Sequence, residues 1–459
     1  MINVRSKEIS EDPLPYRYIL VLVIFFMFSH PYAGFTGEKK LALTDAVRTA
    51  LEENYELRAM KNAVLARKEG IGVARSAFLP KITFEERAMR TNNPPLSFMM
   101  KLNQQRFSQS DFILDALNNP QPINDYQTTF SFEQPVFSVK SYWGLSQAHN
   151  EHTAKNNEYN RKREETVLKV VQAYLRLHTA REYVRVSQKS IEDANEHLRI
   201  AEARYRNNIG LYSDSLRART ALAESEQFLI SSEKECGTAK KWLGFILGSP
   251  EPVDITEDEP AIVLNDMDYY KKNSLDRQDI AALKARYDSA KKQIKTAEAG
   301  YFPYIALGGS YQMNDHRKLF GSEGNSWQVS ASLRWDLFDG TRREFERTKA
   351  RYEAAEMKET VNNLREFISF KVYDAYLAVE EARKNLQLAQ AALKHAEEGA
   401  RLVRSRYENS LSPVVDLLDV QLNLNRARAN TVAQKNAYIL AIVNLQYESG
   451  TIMKDLNID

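Results

Sequence analysis

The sequence predicts a mainly α-helical chain with a small β part, duplicated internally, and three observations carry that prediction. Two stretches, Lys140 to Asn207 and Thr341 to Asn409, contain no proline, and the first holds a single glycine, Gly144. At about 1.5 Å of rise per residue each would reach roughly 100 Å as a helix, too long for the inside of a globule. Val170, Leu177, Val184, Ile191, Leu198 and Tyr205 recur every seven residues, and Val372, Val379, Leu386, Leu393, Ala400 and Tyr407 repeat that phase 202 positions later. A strict seven-residue repeat winds helices into a left-handed supercoil, so these rods need lateral partners. Finally, Trp327, Val329, Ala331, Leu333, Trp335 and Leu337 alternate with Gln328, Ser330, Ser332, Arg334 and Asp336, the period of a strand with one apolar and one polar face.

The first 34 residues have the pattern of a signal peptide. Arg5, Lys7 and Arg17 precede an apolar run from Ile19 to Phe28, short of the roughly 20 residues a transmembrane helix needs, and Ala33 and Gly34 sit near a cleavage site. Glu8, Glu11, Asp12 and Pro31 are atypical of such a segment, and a short anchor that is never removed is the alternative. A helix follows from Leu43 to Phe78, with Thr44 as its N-cap before Asp45. Its counterpart is Leu275 to Tyr301. Phe78-Leu79-Pro80 aligns with Tyr301-Phe302-Pro303, so the architecture is repeated.

Each proline opens a segment of strand character. Ile82 and Phe84 begin the first; Tyr126, Thr128, Phe130 and Phe132 alternate with Gln127, Thr129, Ser131 and Glu133 in the second. Ile305, Leu307 and Tyr311 mark the third, and the Trp327 run is the fourth. Two hairpins cannot bury such an aromatic face alone. A transmembrane barrel would use it, with about nine to eleven tilted residues per strand, apolar toward lipid and polar toward the lumen. Four strands cannot close a ring, for which roughly eight is the practical minimum, so each chain must contribute part of a shared barrel. The first hairpin carries the longer loop, with Asn92-Asn93-Pro94-Pro95 and Asn118-Asn119-Pro120, and Gly321 and Gly324 mark the shorter one; both are expected on the outer surface.

The rods end in turns, Arg204-Tyr205-Arg206-Asn207-Asn208-Ile209-Gly210 and Arg406-Tyr407-Glu408-Asn409-Ser410-Leu411, and returning helices follow. Ser412 is the expected N-cap of the second return, with Pro413 at its first helical position. This divides the chain into a first repeat at 35–250, a linking segment at 251–274 and a second repeat at 275–459. Lys+Arg 63 against Asp+Glu 61 gives a net charge of +2 with no basic stripe, which argues against a nucleic-acid partner. Cys236 is the only cysteine, so no internal disulfide can form, and no acyl anchor can attach to a cysteine near the mature N-terminus.

The paired Phe-Leu-Pro and Tyr-Phe-Pro corners, the strand exits Gln134-Pro135-Val136-Phe137 and Trp335-Asp336-Leu337-Phe338, and the two Arg-Tyr turns together resemble the TolC-type outer-membrane efflux protein family, over Leu43 to about Ile452. That resemblance implies a homotrimer in the cell outer membrane. Four strands per protomer would make a twelve-stranded β-barrel in outer-membrane lipid, continued by a trimeric α-helical barrel across the periplasm. It implies a passive exit duct of a tripartite efflux or type I secretion system, with a periplasmic adaptor and an inner-membrane pump of the RND or ABC type, and with neither enzymatic activity nor cofactor.

Carried over by position, Asp416 and Asp419 match the family's acidic constriction residues, and Asp214 with Tyr407 matches its gate-linking polar contacts. Tyr205, Asn208, Ile209, Ser410 and Leu411 would form the tips where the adaptor docks. Asp214 and Asp416 also fit a plainer account, since an acid in a first helical turn is favoured by about 0.3–1 kcal/mol through the helix dipole alone. Asp419 lies beyond that benefit and shares a face with Asp416; a trimeric ring of such carboxylates would attract cations. Asn208 and Ser410 stand where many members have glycine, and Ser412 where some carry a gate-locking arginine.

Two other readings are set against this. An exported coiled-coil scaffold or adhesin would have polar strands or none, contrary to the Trp327 alternation. His149 and His152, three apart on a helix, lack a third metal ligand of suitable spacing, and neither a phosphate loop nor an H-E-x-x-H motif occurs.

Overall fold

A computed structural model describes residues 40–256 and 262–458. The expected signal peptide lies outside them. The chain is organised by four long helices in two antiparallel hairpins: α5 (Val139–Arg206, 68 residues) returning as α6 (Tyr212–Leu247, 36 residues), and α9 (Arg342–Glu408, 67 residues) returning as α10 (Val414–Ser449, 36 residues). Both returns end on a left-handed glycine, Gly248 and Gly450, each at φ 77°. At Gly248 a Cβ would lie 2.5 Å from the Glu53 carbonyl oxygen, so only glycine lets the two segments approach. Among the described residues no helix is long and apolar enough to cross a membrane.

The expected helix from Leu43 to Phe78 is two helices, α1 (Leu43–Glu53) and α2 (Tyr55–Ser76). Asn54 divides them. Its extended backbone stops α1, and its side chain accepts the Leu57 N–H at 3.1 Å as the cap of α2 while donating to the Ile246 carbonyl at 2.8 Å. Thr44 lies within the helix, and Ala42 occupies the cap position. In the second repeat α7 (Met267–Ser274) precedes α8 (Gln278–Glu298), which packs beside α5 and α9. A short parallel pair, β1 (Lys40–Leu41) with β4 (Asp254–Ile255), closes the middle of the molecule, where Val167, Val170, Tyr174, Leu177, Leu243 and Val443 form the main core.

The four long strands make one antiparallel sheet in the order β2 (Lys81–Thr91), β3 (Ile123–Phe137), β5 (Tyr304–Asp315), β6 (Gly324–Arg334), and two short helices, α3 (Pro94–Asn103) and α4 (Leu114–Asn118), lie between β2 and β3 in the chain. Register puts Phe84 opposite Phe130, Phe130 opposite Tyr311, and Tyr311 opposite Trp327, so one aromatic row crosses the whole sheet. The row below it is Ile82, Phe132, Gly309 and Val329. A Cβ at Gly309 would come 2.5 Å from the Phe132 ring, which therefore lies flat across that position. These side chains are exposed in the single chain, Trp327 by 76%. The opposite face carries Arg87, Gln127, Thr129, Ser131, Gln312 and Gln328. β6 stops at Arg334, opposite the first residue of β5, so Trp335 and Leu337 of the alternating run lie past the strand; Trp335 instead donates its indole N–H to the Tyr301 carbonyl at 3.2 Å.

Candidate functional site

The tips of the two helical hairpins close by the same device. Each long helix is capped by an asparagine, Asn207 or Asn409, whose side-chain amide donates to the carbonyl four residues back at 2.9 and 2.8 Å. The next residue, Asn208 or Ser410, sits at φ 63°. Its N–H and that of the following Ile209 or Leu411 turn back to the carbonyls of Tyr205 and Arg204, or of Tyr407 and Arg406. This is a Schellman closure, which needs one left-handed residue; asparagine supplies it at low cost, and serine is held in it by the surrounding bonds. Tyr205, Ile209 and Leu411 are exposed along the tip surface.

The duplicated tyrosines have diverged. Tyr205 is 46% exposed, whereas Tyr407 is 2% exposed against Val414, Leu417, Ile200 and Val403. Arg204 reaches the buried tyrosine: its guanidinium lies 4.7 Å from the centre of the Tyr407 ring, donates to the Tyr407 carbonyl, and donates to Ser410 Oγ at 2.9 Å. It thereby ties the first tip to the second. Burial pushes the Tyr407 phenol up, the Arg204 guanidinium opposes that, and the Asp214 carboxylate adds to it. Arg204 is a site residue not singled out from the sequence; its signal there is the Arg-Tyr pair repeated at Arg204-Tyr205 and Arg406-Tyr407.

Ser412 is not a helix cap. Pro413 takes the cap position with an extended ψ of 161°, and α10 begins at Val414, leaving the Ser412 hydroxyl buried without a hydrogen bond. Asp416 is in the first turn of α10. Asp419 follows one turn later; both are exposed, and Asp419 accepts from Asn423 at 3.4 Å. Asp419 borders a groove of about 1030 Å³ between α5, α6 and α10, with Leu216, Arg217, Phe228, Leu422 and Arg426 among its walls. Asp214 is half-buried in the first turn of α6.

Above the tip, the seven-residue apolar pattern of α5 gives way. Val184, Ile191 and Leu198 are half-buried, and the face turned to α10 instead presents Ser187, Ser190, Asp193 and His197. Gln421 of α10 donates to Asp193 at 2.9 Å, lies 3.4 Å from His197 Nε2, and donates to Asn425 at 3.2 Å; Asn425 donates to Ser190 at 2.7 Å. Arg404 and Arg428 approach the Asp193 carboxylate at 3.8 and 3.5 Å, and Lys189 at 3.6 Å. His197 is 1% exposed, its Nδ1 has no partner, and burial pushes its imidazole pKa down. A hydrophilic belt thus joins the two halves where coiled-coil packing would be dry.

Among the described residues one group, Asp315, His316 and Glu323, brings three potential metal-ligand atoms within 4.8 Å. Its members are engaged with one another and with Arg317: His316 Nδ1 lies 2.5 Å from Glu323, Arg317 pairs with Glu323 at 3.1 Å, and the Arg317 N–H donates to Asp315 at 2.7 Å. His149 and His152 are no part of it.

A sheet with one aromatic face and two free edges, mounted on helices about 100 Å long, is the architecture of an outer-membrane channel subunit. The sequence profile described as outer membrane efflux protein matches residues 46–249 and 270–451, and the chain belongs to that family. It is 21% identical over 425 residues to the outer membrane efflux protein BepC of Brucella suis, covering 88% of this chain and 86% of that one. It is also 21% identical to the outer membrane protein TolC of Vibrio cholerae, over 89% of this chain and 91% of that one. The fold is similar to that of the outer membrane protein VceC of Vibrio cholerae, with a TM-score of 0.71 at 18% identity over 89% of this chain and 96% of that one. The family comprises outer-membrane channels rather than enzymes, and its members act as exit ducts of efflux systems.

Proposed function

We propose that this chain forms a homotrimer whose twelve strands close a barrel in outer-membrane lipid and whose helices continue it across the periplasm as a passive duct. The observation that carries this reading is the aromatic row from Phe84 to Trp327, exposed on one face of a four-stranded sheet whose other face is polar. A sheet of that kind is completed by further copies and by lipid. It also disfavours the scaffold or adhesin reading, which has no use for a lipid-facing surface.

In this reading residues 1–34 are removed on export, residues 35–250 and 275–459 are the two repeats, and residues 251–274 link them. Asp416 and Asp419 line the periplasmic constriction, with Asp214 and Tyr407 holding it. Tyr205, Asn208, Ile209, Ser410 and Leu411 receive a periplasmic adaptor, which connects the duct to an inner-membrane pump of the RND or ABC type. Specificity for cargo resides in the pump, because a wide polar wall selects little.

Cross-linking in intact envelopes, followed by mass spectrometry of partners recovered with the chain from the outer-membrane fraction, tests this. Recovery of an adaptor and a pump supports the duct, and the pump's class separates small-molecule efflux from polypeptide secretion. Absence from that fraction, with no adaptor recovered, replaces the duct with the scaffold.

A further inference from the structure

We propose that the β2–β3 loop forms a second constriction, at the outer mouth of the duct, where an apolar collar restricts what leaves; this rests on the duct reading above. The two hairpin loops fold to opposite faces of the sheet. In the β5–β6 loop, Phe320 stacks on Phe84 with ring centres 6.2 Å apart, and its N–H donates to Glu86 at 3.2 Å, on the apolar face. The β2–β3 loop turns the other way. After β2 it forms a helix, α3 (Pro94–Asn103), capped by Asn93, and Gln104 at the end of that helix is buried with its amide donating to Asp125 Oδ1 at 2.9 Å. Asn314 of β5 donates to the same carboxylate at 2.9 and 3.1 Å.

Strand alternation fixes the direction. Asp125 shares its face with Gln127, Thr129 and Ser131, and Asn314 shares its face with Gln312, so this knot lies on the polar side that faces the lumen. The loop then reaches the far edge of the sheet: Gln105 donates to the Asn325 carbonyl at 3.4 Å, and a Cβ on Gly324 would come 2.0 Å from the Asn103 carbonyl oxygen. A segment that begins at one edge strand therefore crosses the polar face to the other. It is braced along its length by Lys101 to Asp111 at 2.6 Å and by edge-to-face contacts of Phe107 with Phe98 and Phe112 at 5.0 and 5.6 Å.

Ser97 and Met100 are buried beneath α3, while Leu96, Met99 and Leu102, one turn apart on its other side, are exposed. Three chains would set three such triplets around the mouth. Apolar rings in a water-filled pore resist hydrated ions by dewetting, and amphipathic solutes pass them more readily. The collar would thus filter by polarity as well as size.

The test uses the full-length trimer in planar bilayers, in a Cys236→Ser, Arg204→Ala background so that the periplasmic tip does not dominate the resistance. Met99→Cys and Leu102→Cys are labelled with a charged methanethiosulfonate added to the outer chamber. Single-channel conductance is expected to change at least twofold on labelling and to return with reductant. Replacing residues 96–118 by a short Gly-Ser linker, in the same background, should raise conductance. Channels that conduct, are fully labelled by mass, and keep their conductance overturn the collar and leave the duct intact. Failure of the unlabelled channel in the Cys236→Ser, Arg204→Ala background to conduct at all overturns the duct reading, and the collar with it.

Discussion

Arg204 and Ser410 are 206 positions apart in the chain, and their side chains meet at 2.9 Å. That bond, with those to the Tyr407 carbonyl and ring, is the direct tie between the two tip turns. Replacing Arg204 by Ala should remove about 1.5 kcal/mol from the tied state, the low end for a charge-assisted bond, and raise the open fraction about tenfold. The measurement is the frequency of open events in single-channel recordings. Ser410→Gly separates latch from fold: it removes the accepting oxygen but relieves the left-handed serine, so conductance should rise with little loss of thermal stability.

Asp416 and Asp419, exposed on successive turns of α10, define the expected charge of the constriction. The double Asn variant should lower the cation-over-anion permeability ratio measured by reversal potential in a salt gradient. Unchanged selectivity would move these carboxylates out of the narrow part of the pore. Double substitution is needed because each ring alone would keep much of the local potential.

The buried His197 predicts a pH response of the belt. Burial depresses its folded-state pKa below the ordinary value near 6.5, so the unfolded chain takes up a proton at a higher pH than the folded one. Stability from this group is therefore complete above about pH 6.5 and lost as pH falls from there through the depressed folded value. Gln421, Asp193, Glu196 and Arg404 act on the imidazole, with Arg428 and Lys189 on the same carboxylate. The melting temperature of the detergent-solubilised protein should fall between pH 7.5 and 5.5 by more than that of His197→Gln, and equal falls would remove His197 as the cause.

Trp327 and Gln328 are neighbours on opposite faces of β6. An arginine at Trp327 should destabilise the membrane-inserted form by about 2–4 kcal/mol if that position lies near the midplane, less toward an interface, while Gln328→Arg should be tolerated. Heat-modifiable migration of the folded form on gels reads both variants. Equal tolerance would show that the aromatic row does not face lipid.

The rods and the four strands were legible because each is written in a local period of seven or two residues, and the returning helices because turn residues mark where each rod ends. The same locality explains what was missed. Asn54 breaks a helix because its amide finds the Ile246 carbonyl, 192 positions away, and no spacing announces such a partner. The hydrophilic belt was hidden for the same reason: Asp193 and His197 fall beside the apolar heptad of α5, and only the arrival of Gln421 makes them an interface. Ser412 looked like a cap by residue type, but the extended backbone of Pro413 moved the start of α10 one residue on. Arg204 was visible as part of a repeated motif; that it binds the other repeat's turn depends on how the hairpins pack.

The pairing of β3 with β5 is the seam at which the two halves of the chain meet. In a closed ring β6 would have to meet β2 of the next copy, again joining a strand from one repeat to a strand from the other. The join within a chain and the join between chains are then versions of one contact, one covalently secured and one not. An ancestor of half this length could have built the same ring from six identical pieces, and duplication would have turned alternate contacts into permanent ones, freeing the paired tips to diverge as Tyr205 and Tyr407 have.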